Sequence, residues 1–93
     1  MATTNRVSKN CTVINKLGIH ARPAALFVKV ASKFKCDISV ERDGETINGK
    51  SIMGLMMLAA GQGSKLTITA EGVDAEQAIH ELDQLFQLKF NEE

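Results

Sequence analysis

Apolar residues alternate with polar ones wherever this chain reads as a strand. Ile38 and Val40 oppose Ser39 and Glu41, and Leu66, Ile68 and Ala70 oppose Thr67 and Thr69. Less regularly, Val7, Cys11 and Val13 oppose Ser8 and Asn10. Alternation gives a strand a single apolar face. A sheet of such strands is covered on one side only, and every helix has to lie there. The cover is legible too. Ala24, Phe27, Val28, Ala31 and Phe34 form one stripe of a helix over Ala21–Phe34. Its proline, Pro23, falls in the first turn, where a missing N–H costs nothing. Ser51 is placed to cap a short apolar helix reaching Leu58. Asp74 as N-cap, Gln77 at the capping-box position and a Val73–Ala78 staple predict the start of a last helix. Its stripe is Ala75, Ala78, Ile79, Leu82, and Leu85 or Phe86.

The predicted strands are Val7–Ile14, Asp37–Arg42, Glu45–Asn48 and one over Leu66, Ile68 and Ala70, with Asp43-Gly44 as a two-residue hairpin turn. The order is therefore βαββαβα. A right-handed crossover from the first strand to the second leaves room for one strand between them. The expected fold is α+β, an open-faced two-layer sandwich. It has a four-stranded antiparallel sheet in the order 1-4-2-3 and three helices on one face. That order puts Cys11 and Cys36 two strand spacings apart, roughly 9–10 Å, beyond the roughly 7 Å a disulfide spans. The chain of 93 residues has room for one core, so a single domain over 1–93 is expected.

Composition removes several functions. Lys and Arg number 11 and Asp and Glu 11, which argues against a nucleic-acid binder acting by bulk charge. There is no Trp or Tyr, and none of the four Phe reads as an exposed aromatic on a basic surface, so no base-stacking platform is expected. The longest apolar run, Ile52–Ala60, falls far short of the roughly 20 residues of a membrane span. Met1–Asn10 lacks the apolar stretch of a secretory leader. A cytoplasmic protein without membrane insertion is expected. Two Cys and two His do not complete a zinc set, so neither a metal nor a cofactor is expected.

Four stretches bear on chemistry. In Gly18-Ile19-His20-Ala21-Arg22-Pro23-Ala24, His20 falls at a helix start and Arg22 two residues later. A helix N-terminus offers unpaired N–H groups and the positive end of its dipole to an anion. Arg22 adds a planar donor fork suited to phosphate. A neutral imidazole is a nucleophile at pH 7, so nucleophile and anion cradle together read as phosphoryl transfer through a phosphohistidine. The competing reading is a histidine that only ends a helix. Gly44-Glu45-Thr46-Ile47-Asn48-Gly49-Lys50-Ser51 matches a nucleotide-binding P-loop. We reject the match, because Gly44 is needed for the hairpin turn and Thr46 and Ile47 are strand formers. Next, Leu55 and Leu58 can bury the short helix, leaving Ile52, Met53 and Met56 as an adaptable apolar surface. Finally, His80 lies off the apolar stripe near Glu76, Asp83 and Gln84 and reads as a solvated surface residue.

With those residues in hand, the chain resembles the histidine-containing phosphocarrier (HPr) family of the phosphoenolpyruvate-dependent phosphotransferase system, over roughly Arg6–Phe90. The stretch Gly18–Ala24 looks like its active-site motif, and Lys50-Ser51-Ile52-Met53-Gly54-Leu55-Met56 like its regulatory serine motif. The resemblance implies a carrier with a phosphohistidine intermediate rather than a stand-alone enzyme. His20 would accept a phosphoryl group on Nδ1 from phosphorylated enzyme I and pass it to an IIA-type domain. Arg22 would hold the phosphoryl oxygens. Leu17, Ala21, Ala25, Ile52, Met53 and Met56 would form the partner-binding surface of a monomer. Ser51 would be the target of an HPr kinase/phosphorylase. The Lys50–Gly54 run is similar to the kinase-regulated sugar branch. The run Leu55–Leu58 and the tail Leu85–Glu93 are similar to the nitrogen-related branch, NPr. A module that only binds regulators, acting through Ser51 and its apolar helix, is the alternative.

Overall fold

Residues 5–92 are described by a computed structural model of the chain. The first four residues of the segment read as leader-free, and Glu93 of the tail, lie outside them. The elements are β1 (Arg6–Thr12), α1 (Ala21–Ala31), β2 (Asp37–Arg42), β3 (Glu45–Asn48), α2 (Ile52–Met57), β4 (Lys65–Glu71) and α3 (Ala75–Gln87), followed by one turn at Lys89–Asn91. Both β1 and β2 pair antiparallel with β4, and β3 pairs antiparallel with β2. The order is thus β1-β4-β2-β3, as one-sided strands and a right-handed crossover require. Helix α3 lies on β1 and β4, and α1 packs against both α2 and α3.

The register sorts the two faces. Val7 and Ile38 both stand opposite Ala70, Cys11 opposite Leu66, and Val40 between Ile68 and Ile47. These residues face the helices. The other face carries hydroxyls and amides: Ser8 and Thr69 share a 2.8 Å hydrogen bond, and Thr67 donates to Asn10 at 2.9 Å. The irregularity of β1 has a physical reason. Lys9 stands opposite Ile68 in the inward phase, yet at the sheet edge its ammonium reaches Asp83 of α3 at 2.9 Å. Between the layers, Phe27, Phe86 and Phe90 meet edge to face, with centroids 6.2 and 4.9 Å apart. Truncating a buried phenylalanine to alanine costs about 3–5 kcal/mol, so this aromatic chain is a large part of what joins α1, α3 and the tail.

Several boundaries differ from the sequence reading. Helix α1 stops at Ala31, not Phe34, because Lys33 and Phe34 donate to carbonyls three residues back. That tighter turn brings Lys35 and Cys36 to Asp74. The Asp74 carboxylate accepts from both backbone N–H groups, at 2.8 and 2.9 Å, and makes no side-chain cap on its own helix. No staple forms, since Val73 is 83% exposed. Gln77 is no capping-box residue either; it donates to Glu81. Strand β1 ends at Thr12, though Val13 continues the pairing through bonds with Gly63 and Ser64.

The Asp43-Gly44 turn has φ of 51° and 86°, the two positive values a primed turn needs. The P-loop pattern is therefore a hairpin, and Lys50 is engaged with the Phe34 carbonyl at 2.7 Å. Both cysteines are buried and, as expected, free, but they are further apart than two strand spacings. Cys11 is level with Leu66, whereas Cys36 lies one residue before Asp37, the partner of Glu71. That puts it at Gly72, where an added Cβ would stand 2.8 Å from the Cys36 Cα. The six-residue offset along β4 adds about 20 Å. Burial first, then a neighbouring carboxylate, pushes the Cys11 thiol up to about 12 and the Cys36 thiol up to about 11.

Asp74 generates a prediction with a sign. The Lys35 N–H, the largest cause, holds its carboxyl below the usual carboxylate range. A depressed folded pKa contributes stability above the unfolded pKa that is lost as pH falls through the folded one. Asp74→Ala should therefore lower the melting temperature at pH 7. The gap from wild type should close in acid as Asp74 protonates. Circular dichroism melts between pH 7 and pH 2 check both; an equal gap at all pH values contradicts the assignment.

Candidate functional site

The loop before α1 is built on a close approach. Ile19 N–H donates to the Ala60 carbonyl at 2.8 Å. At Gly18 (φ 71°) a Cβ would stand 2.5 Å from that same oxygen, so only glycine lets the two loops touch. The next residue is His20, the N-cap of α1, with extended backbone and no side-chain bond to its own helix. The ring is thereby turned away from capping. Its carbonyl accepts from Ala24 N–H, while the N–H groups of Ala21 and Arg22 have no partner within the helix.

The His20 side chain is 39% exposed, and its Nε2 stands 3.0 Å from Glu92 Oε2. The other Glu92 oxygen accepts from Asn15 Nδ2 at 3.1 Å, and the same amide donates to the Gly18 carbonyl at 2.8 Å. Asn15 is fully buried. Among the described residues His20 Nδ1 has no hydrogen-bond partner and neither has the Arg22 guanidinium. Arg22 lines an open hollow of about 440 Å³ with Lys16, Leu17, Asn91 and Glu92. Two cationic side chains thus line a shallow, accessible hollow, and Glu92, which lines it too, holds the His20 ring beside it at the start of α1. Chemically this suits a phosphoryl group held at the surface, where a second protein can reach it.

Helix α2 stands beside this place, packed on α1. Ser51 caps it as predicted, accepting from Gly54 N–H at 3.0 Å. Leu55 and Leu58 are buried, while Ile52, Met53 and Met56 are 42%, 75% and 45% exposed. Met57, Leu17, Ala21 and Ala25 are exposed as well. Among the described residues no hydrogen bond joins Ser51 to His20, so the two motifs lie on neighbouring helices and do not form one centre. His80 is exposed on α3 beside Gln84, away from the hollow.

Four residues, Lys16 of the hollow among them, were not singled out from the sequence. Asn15 and Glu92 join the site only through the fold. Arg42, at the end of β2, donates to the carbonyls of Leu58 and Ala59 at 2.8 and 3.1 Å. Helix α2 has no basic residue in its last turn, so its C-terminal carbonyls lack a local donor. That lack was the one available signal.

Comparison with known proteins finds relatives over most of the chain. Residues 7–87 match the family model described as the PTS HPr component phosphorylation site. The chain is 49% identical over 87 residues to the phosphocarrier protein HPr of Treponema pallidum, covering 94% of this chain and 99% of that one. It is 50% identical over 76 residues to the HPr-like protein Crh of Halalkalibacterium halodurans, covering 82% and 90%. The crystal structure of HPr-C-His from Thermoanaerobacter tengcongensis superposes with a TM-score of 0.90 at 49% identity, over 94% of this chain and 98% of that one.

The cap on α2 is testable by itself. Removing a serine N-cap costs about 1 kcal/mol. Ser51→Ala should lower the unfolding free energy by that amount in urea titrations followed by far-ultraviolet circular dichroism. An unchanged midpoint would mean that water replaces the hydroxyl.

Proposed function

The chain belongs to the HPr family of phosphocarrier proteins of the phosphotransferase system, and on that premise we propose that His20 carries its phosphoryl group. The observation that supports this reading is the state of the ring. His20 ends a loop fixed by Gly18, it is half exposed, and its Nε2 is engaged while Nδ1 is not. The free nitrogen is the nucleophile. Arg22, Lys16 and the N–H groups opening α1 hold the phosphoryl oxygens, with Arg22 the principal partner because its fork matches them.

Enzyme I is the donor and IIA-type domains the acceptors in this reading. The docking surface is the exposed apolar band of Leu17, Ala21, Ala25, Ile52, Met53 and Met56 around the histidine. A shared surface suits a carrier that meets two partners in turn, each through a small transient contact. No helix among the described residues is long and apolar enough to cross a membrane, in keeping with a cytoplasmic carrier. The unit is the monomer; an HPr of Thermoanaerobacter tengcongensis has been crystallised as a dimer, and sedimentation velocity distinguishes the two states.

Ser51 is the regulatory site of the same proposal. A phosphate there would gain from the helix N-terminus but would set two charges beside Ile52 and Met53, which a partner must touch. The similarity to Crh of Bacillus subtilis, described as a catabolite repression HPr, supports a second reading, a module that binds regulators through Ser51 and α2. That reading requires partner binding that survives His20→Ala and changes with Ser51→Asp.

Intact mass after incubation with phosphoenolpyruvate, magnesium and enzyme I tests the carrier. Wild type should gain one phosphate, labile in acid and stable in alkali, and His20→Ala none. Arg22→Ala should remain folded and transfer about tenfold more slowly, the effect of one lost charge-assisted bond. A label that persists in His20→Ala, or sits on His80, rejects the assignment.

A further inference from the structure

We infer that Glu92 is a positioning residue for His20, delivered by a left-handed turn and braced by Asn15, which holds the ring with its proton on Nε2 and its lone pair on Nδ1. The inference deepens the reading of His20 as phosphoryl acceptor and rests on it.

An ionised carboxylate can only accept. Glu92 Oε2, 3.0 Å from Nε2, therefore makes Nε2 the donor and leaves Nδ1 the unprotonated nitrogen. The carboxylate is itself oriented. Its second oxygen takes one N–H of Asn15, whose other N–H goes to the Gly18 carbonyl in the loop that carries His20. Both partners are acceptors, so the amide has only one orientation here. That orientation leaves Asn15 Oδ1 buried with no partner, a destabilising arrangement in a protein interior. Asn15 thus keeps both its donors on the His20 loop and on Glu92 while its acceptor goes without.

The backbone that delivers Glu92 is also costly. Lys89, Phe90 and Asn91 have φ of 54°, 53° and 60°. Ending a helix takes one left-handed residue, usually glycine. Here there are three in succession, none of them glycine, and only asparagine is well suited to that region. Phe90 pins the turn, being 1% exposed and 4.9 Å from the Phe86 ring. Strain of this kind persists where surrounding contacts over-determine it, and it concentrates at functional sites. The pair is not explained as a surface ion pair, which contributes little stability. What the turn, the buried amide and the carboxylate have in common is the imidazole.

The chemistry follows from the tautomer. The Nδ1 lone pair attacks phosphorus, and the Nδ1–P bond forms. The bond from phosphorus to the donor's leaving atom breaks, and that atom keeps the electron pair. No proton leaves the ring, since Nε2 retains its hydrogen. The ring therefore becomes cationic while it carries the phosphoryl group, directly against the Glu92 carboxylate. On onward transfer the N–P electron pair returns to Nδ1 and the ring is neutral again.

The test uses the full chain with two phosphoryl donors, phosphoramidate alone and enzyme I with phosphoenolpyruvate. Phosphate gain is followed by intact mass. Nitrogen-15 shifts of the imidazole report the tautomer. Wild type should hold the Nε2–H form. Glu92→Ala should mix the tautomers and slow phosphate gain from both donors by about tenfold, the scale on which partners of a histidine ring act. Glu92→Gln, whose amide oxygen still accepts from Nε2–H, should keep the tautomer and recover part of the rate. Asn15→Ala should shift the tautomer the same way as Glu92→Ala; if it fails to fold, the two Glu92 variants decide. A wild-type tautomer and rate in Glu92→Ala overturn the inference, and so does a faster rate, which would make Glu92 a plug. If wild type takes phosphate from neither donor, the reading of His20 fails instead, and the tautomers still decide whether Glu92 positions the ring.

Discussion

Each strand has one apolar face, and the architecture depends on that constraint. It puts α1, α2 and α3 in one layer, so the chain has a single interface between layers and no second one in which to enclose a ligand. The histidine consequently sits at the end of a helix, beside an open hollow. A deep pocket would shelter a phosphoryl group from water and from protein partners alike. A shallow one leaves it accessible to any partner shaped to the surrounding surface, which is what a carrier requires. The same constraint leaves α2 with only one side to bury. Leu55 and Leu58 occupy that side, and the methionines are left outside.

Much of this was legible in the sequence because it is local. Alternation over four to six residues gave the strands, the Asp43-Gly44 pair gave the hairpin, and Ser51 gave the start of α2. His20 and Arg22 are two residues apart, so any helix starting between them brings both to its N-terminus. The strand order followed from the handedness of one crossover. What misled was also local. Asp74 has the right residue type and place for a cap, yet two backbone N–H groups 38 and 39 residues away compete for its carboxylate and win. A capping rule weighs a side chain against its own helix and has no means of counting a distant donor.

The remainder was not legible, for the same reason in reverse. Glu92 lies 72 residues beyond His20 and 77 beyond Asn15. Nothing in the tail's composition points to the first loop, and a run of left-handed residues made of lysine, phenylalanine and asparagine has no propensity signature. Only the anchoring of Phe90 between the layers fixes where the chain goes next. Arg42 is a milder case. Its place at the end of β2 looks like ordinary surface charge, and its work on the carbonyls of α2 is visible only once β2 and α2 are known to be neighbours.

The Lys9–Asp83 pair has a consequence of another kind. An open sheet has two outer strands with unsatisfied amides, and here β1 is one of them. Such an edge invites a stray extended chain to add to it and start aggregation. A newcomer extending the sheet at β1 would have to continue its inward face as well, and at its centre it would meet an ammonium instead of a methyl group. Covering Lys9 would strip water from a charge whose partner is still 17% exposed. The residue that most disturbs the alternation of β1 thus discourages the sheet from growing beyond four strands.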